Sequence, residues 1–252
     1  ETAHRAARGT KPRADAKSAY DTTVAALGTT LAPEKGLLDA AYAVVGNADD
    51  KFLAGQMGLM LGNVSVDKPM QRKGLQAMIE SGKLPAADVA KYNFYVGGLS
   101  YDMRDFAAAR SAFQAAIAGG YTEGGVEGLL AEAYINDNQT LEGLKVLQGA
   151  AAKADAPEEL LRRGVVVAYR AKLANEAASF GSQLVAGYPN NENWALTVAV
   201  VRDLNKFQSQ EQIDLLRLME RTRSFAEARD YVEYIQAADP RRLPGEVLKI
   251  VN

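Results

Sequence analysis

At 252 residues the chain is long enough to bury a substantial apolar core, and its 48% hydrophobic content rests mainly on Ala, Leu and Val, with only 8% aromatic residues. Its 29 basic and 31 acidic side chains leave a formal charge of −2 with no basic stripe, which argues against recognition of nucleic acid by phosphate neutralisation. The absence of cysteine excludes disulfides and thiolate metal sites, and no apolar run reaches the roughly 20 residues that would form a membrane-spanning helix.

Residues 1–12 hold the single histidine, His4, and no periodic apolar face, and are read as a loose leader ahead of one helical domain over residues 13–252. Tyr20, Val24 and Leu27 recur at helical spacing and predict a first helix from Arg13 to Leu27, stopped by Gly28. Pro33 opens a second through Leu37, Leu38 and Tyr42 to Gly46-Asn47. A third spans about Asp49 to Leu61, where paired acids suit the positive end of the helix dipole. A fourth runs from Asp67 to Gly82. Short breaks between helices of a dozen or so residues are the spacing of stacked helical hairpins. No stretch alternates strictly enough for a strand, and Val165-Val166-Val167 lies within a helical pattern between Leu161 and Tyr169.

The segment from Tyr92 to Ile117 places Val96-Gly97 in one helix, the acidic–aromatic pair Asp105-Phe106 at a turn, and Ala109, Phe113 and Ala116 in the next helix. In that order the segment resembles one tetratricopeptide repeat, whose small residues sit where two antiparallel helices cross and whose large ones fill the groove beside them. Advancing by the family's period of 34 residues puts Ala131 on Gly97, Gly143 on Ala109, Leu147 on Phe113 and Ala150 on Ala116. A further step reaches Ala177 and Pro189, with Gly181 at the large position. Asn93, Ser100 and Tyr121 depart from the family pattern, so the repeats are degenerate. A local realignment sets Phe225, Ala228, Val232 and Ile235 in a last unit, and Leu243 to Val251 forms a terminal helix that is either a cap or a truncated unit. The resemblance implies an all-α fold, a right-handed α-solenoid of stacked antiparallel helical hairpins with about 12 helices, clearest over residues 91–190.

Catalytic constellations are not evident. One histidine in the leader cannot build a His-based triad or zinc site. Gly119-Gly120-Tyr121-Thr122-Glu123-Gly124-Gly125 precedes a helix but lacks the Lys-Ser or Lys-Thr of a phosphate loop, and is read as a hinge. Glu158-Glu159 opens a helix, and Arg162, Arg163 and Arg170 are read as a solvated face, with a clamp for a carboxylate or phosphate as the alternative.

In the family the first helix of each hairpin lines the concave side. Carrying those positions over selects Lys91, Phe94 and Tyr101, then Glu132 and Ile135, then Arg162, Val166 and Tyr169 as partner-binding residues. The resemblance thus implies a non-catalytic, cofactor-free scaffold that holds a protein or peptide, with self-association open. The alternative is a carrier of an apolar small molecule or lipid in the interior, for which Met57, Met60, Met70 and Met78 are the sequence hint. Resemblance to exported bacterial repeat proteins points to the periplasm, with the cytoplasm as the alternative.

Overall fold

A computed structural model describes residues 22–23, 25–26, 29–153, 156–225 and 227–251. The expected leader with His4, and Tyr20, Val24, Leu27 and Gly28 of the expected first helix, lie outside them. The described residues are all-helical, with no strand. Thirteen helices follow one another: α1 (Ala32–Ala43), α2 (Ala48–Val64), α3 (Lys68–Glu80), α4 (Ala86–Asp102), α5 (Phe106–Ala118), α6 (Val126–Asn136), α7 (Thr140–Ala151), α8 (Glu158–Arg170), α9 (Ala174–Gly187), α10 (Asn191–Leu204), α11 (Ser209–Arg221), α12 (Ala228–Ala238) and α13 (Pro244–Val251). They pack chiefly against chain neighbours, and α2 with α3, α4 with α5 and α8 with α9 are the closest pairs. The chain divides into two compact units, Glu1–Ala133 and Tyr134–Asn252.

One turn recurs. Val66, Arg104, Asn138, Lys172 and Arg223 adopt left-handed φ values of 55°, 61°, 59°, 59° and 51°. The residue after each donates its N–H to the carbonyl five residues back: Asp67 to Gly62, Asp105 to Ser100, Gln139 to Tyr134, Leu173 to Ala168 and Ser224 to Met219, each at 2.9 Å. This closure satisfies carbonyls that a helix end otherwise leaves orphaned, and it reverses the chain within a few residues. Arg104, Asn138 and Lys172 are 34 residues apart, so the turn carries the period that the side chains suggest.

In the first unit, a Cβ on Gly97 would come within 2.5 Å of the ring of Phe113, which is fully buried. The absence of a side chain at Gly97 therefore sets how closely α4 approaches α5. Between α2 and α3 the approach is of backbone on backbone, since a Cβ on Gly55 would lie 2.8 Å from the Gly74 carbonyl oxygen. Asp67 and Asp105 cap α3 and α5 by accepting from the N–H groups of Met70 and Ala108. The same carboxylates reach the preceding hairpin. Asp67 accepts from Lys35 and Asp105 from Arg72, and a further pair joins Lys73 to Asp39, the partners lying 32 to 34 residues apart.

In the second unit, Gly164 of α8 faces the ring of Phe180 in α9 as Gly97 faces Phe113. The large position is thus Phe180 and not Gly181, one residue short of the 34-residue step. Gly181 lies instead against Thr197 of α10, whose hydroxyl donates to its carbonyl at 3.4 Å. Trp194 packs on the cluster of Val198, Ile213, Leu216, Met219 and Tyr234. Helix α13 closes this cluster with Val247 and Ile250. Its Glu246 accepts from Arg217 of α11 and, at 3.0 Å, from Tyr234 of α12.

Candidate binding groove

Along α4, side chains at Lys91, Tyr95, Gly98 and Asp102 follow one another at steps of four, three and four, so they share one face. That face, with Tyr92, Phe94 and Leu99, forms one wall of a groove of about 590 Å³. The opposite wall is Leu59 and Asn63 of α2, and Gln71 and Leu75 of α3 supply the rest of the lining. Leu75 and Val96 belong to the buried core that supports the groove, with Leu59, Tyr92 and Leu99 packed on it. The groove therefore rests on packed helices.

Its surface is aromatic with polar ends. Tyr95 is 42% exposed and lies in tilted contact with Tyr92 at 6.5 Å and Phe94 at 5.8 Å. The Lys91 ammonium stands 5.9 Å from the Tyr95 ring centroid. Lys35, Lys51, Lys68, Arg72, Lys73 and Lys83 are each ion-paired, whereas Lys91 has no carboxylate partner among the described residues. At the other end, Asp102 accepts from Lys68 at 2.7 Å. The chain beyond α5 is held against the same aromatic group, because Tyr121 stacks on Phe94 at 4.8 Å and Gly124 lies under the Phe94 ring. Partial burial, then the Glu123 carboxylate, pushes the Tyr121 phenol above its ordinary 10.0.

The eight residues selected from the sequence divide into three settings. Lys91 and Phe94 line the groove. Phe94 also contacts Phe113 at 6.0 Å and so belongs partly to the core. Tyr101 packs edge-on against Phe106 at 5.6 Å, and its hydroxyl donates to Glu132 at 3.4 Å, a tie from α4 to α6. Ile135, at the end of α6, is half-buried in the second unit.

Arg162, Val166 and Tyr169 share a face of α8 in the second unit. Arg162 donates to Glu158 at 3.3 Å and to Glu192 of α10 at 3.4 Å. The interaction between Tyr169 and the Asp203 carboxylate of α10 raises the phenol and lowers the carboxylate, and Lys172 lies over the Tyr169 ring at 4.7 Å. These side chains clasp one helix to the next. Glu158 is held low first by Asn193, which donates to it at 2.8 Å, and then by Arg162.

Tyr95, Gly98 and Asp102 were not among the selected residues, although the sequence carried a usable signal. Phe94 and Tyr101 lie three and four residues from Gly97, which must face α5; the row through Lys91 and Tyr95 is turned away from that crossing.

The methionines do not converge on an interior. Met78 is buried, while Met57 and Met60 are 50% and 69% exposed. The latter two lie in an open apolar groove of about 440 Å³ with Leu31, Leu37, Leu38, Leu61 and Val64, where Glu34 is the only charged lining residue.

Among the described residues no group of three or more His, Cys, Asp or Glu side chains is arranged to hold a metal ion, and no helix is long and apolar enough to cross a membrane. Compared with protein-family models and with curated proteins, the chain finds no match in either.

Proposed function

We propose that the chain is a non-catalytic binding scaffold of tetratricopeptide type, and that the groove between α2 and α4 holds a segment of a partner protein. The observation that carries this reading is the combination of exposed Tyr95 beside half-buried Tyr92 and a cation, Lys91, with no carboxylate partner among the described residues, in a groove walled by packed helices. Aromatic side chains on a preorganised support are the usual anchors of protein interfaces. The 34-residue recurrence of the hairpin turn supports the family reading.

The test is affinity capture with the tagged chain beside a Tyr95→Ala/Lys91→Glu double variant whose helical content is unchanged. A protein retained by the first and lost by the second supports the reading. Partners retained equally by both place binding elsewhere.

A second reading, a carrier of an apolar molecule, draws on the open groove around Met57 and Met60. Native mass spectrometry of the purified chain tests it, since a co-purifying small molecule displaced by Met60→Glu is what it requires. An exported, periplasmic setting belongs to the same proposal, and fractionation of cells expressing the natural precursor tests it.

A further inference from the structure

Gly98 is a costly residue for its place. It sits inside the 17-residue helix α4, where glycine is about 1 kcal/mol less favourable than alanine. Its neighbour Gly97 has a packing reason, but a Cβ built on Gly98 would meet nothing within 4 Å. Gly36, Gly128 and Gly149 are open in the same sense, so openness alone signals nothing. Gly98 differs from them in lining the aromatic groove, between Tyr95 and Asp102 on the same helical face. Any side chain there would project into the space that Tyr92, Tyr95, Leu59 and Leu75 surround.

We infer that Gly98 is the notch that seats a large apolar side chain of an extended peptide, and that Lys91 pairs with an acidic side chain of the same peptide. This rests on the groove reading above and adds the chemistry of the ligand. Lys91 and Gly98 are seven residues apart on one helix, about 10 Å along its axis. An extended chain covers that distance in about three residues. The ligand is therefore a segment with an Asp or Glu three positions from a large apolar residue. Charge complementarity sets its direction, because Lys91 has no carboxylate partner among the described residues, whereas at the far end of the groove Asp102 and Lys68 already satisfy each other.

The experiment pans phage-displayed random heptapeptides on the full chain, on Gly98→Leu and on Lys91→Glu, with circular dichroism and thermal unfolding run on each. Gly98→Leu is expected to unfold at the same or a higher temperature, since a Cβ there meets nothing within 4 Å and leucine improves helix propensity. The wild type is expected to enrich peptides with an acidic and a large apolar residue three apart. Gly98→Leu should lose those peptides at least tenfold, and Lys91→Glu should select a basic residue where the wild type selects an acidic one. Enriched peptides without this spacing, or bound equally by Gly98→Leu, overturn the inference while leaving a peptide groove standing. No enrichment on the wild type overturns the groove reading and this inference together.

Discussion

Gly97 and Gly98 are adjacent and do opposite things, which makes them a sharp test at the residue scale. Gly97→Ala forces a methyl group into the Phe113 ring and is expected to cost about 1–3 kcal/mol in urea denaturation. Gly98→Ala is expected to gain up to about 1 kcal/mol in the same measurement. Tyr234 offers a test by pH. It is buried and donates to Glu246, and burial first and that bond second push its phenol up from 10.0 to about 12. A pKa raised in the fold means stability that is whole below pH 10.0 and is lost as the pH rises towards 12. Thermal unfolding from pH 9 to 12 should show that loss in the wild type, and a smaller one in Tyr234→Phe.

Residues of this kind were partly legible from the sequence. Lys91 and Phe94 were found because they occupy helix-one positions of a repeat pattern, and both line the groove. Tyr101, Arg162 and Tyr169 were chosen on the same grounds, yet the structure uses them to hold successive first helices together. The reason is rotational: a shift of one residue turns a side chain by about 100° around a helix, from open groove to neighbouring helix. A repeat pattern fixes which helix faces inward more firmly than which row of that helix stays free.

At the scale of elements, the left-handed turn residue is the recurring device. Arg104 and Lys172 hold φ values of 61° and 59° that side chains other than those of Gly, Asn and Asp adopt at a cost. Arg104→Gly and Lys172→Gly are each expected to stabilise the fold by up to about 1 kcal/mol, relief of strain being partly offset by the greater freedom of glycine in the unfolded chain. Asn138→Gly, starting from a residue that tolerates this region, should gain less. Equilibrium denaturation of the three variants side by side gives the order. The elements were well predicted where caps or prolines mark them: Asp67 opens α3, Asp105 opens α5, and Pro244 opens α13 within a residue of its expected start. The large position in α9 was misplaced by one residue, because the step from Leu147 to Phe180 is 33 residues and a fixed period cannot show a single deletion. The methionine grouping failed for a different reason. Proximity in sequence does not say on which side of a helix crossing a side chain falls, and Met78 went to the core while Met57 and Met60 remained exposed.

For the molecule as a whole, carboxylates do much of the joining between hairpins, and this fixes its response to acid. Burial would raise Asp67, but bonds from Lys35 and the Met70 N–H outweigh it and hold the group below 3.8. Arg72 and the Ala108 N–H do the same for Asp105, and Arg217 does so for Glu246. Groups whose pKa is depressed in the fold contribute stability that is present above their ordinary values of 3.8 and 4.5 and is lost as the pH falls through the lowered ones. Circular dichroism from pH 7 to 2 should show a stability plateau down to about those values and a decline below, and Asp105→Asn should reduce the decline. Exposed pairs such as Lys73 with Asp39 are solvated and should contribute little to it.

Binding of a partner in the groove between α2 and α4 is tested most directly by site-specific photocrosslinking in cells. A photoreactive amino acid replaces Tyr95, which is exposed in the groove, or Ser111, an exposed residue of α5 in a separate depression with Ile79 and Val96. Discrete protein adducts are expected from position 95 and none of comparable yield from position 111. Adducts from 111 alone, or equal yields from both positions, would contradict binding in this groove.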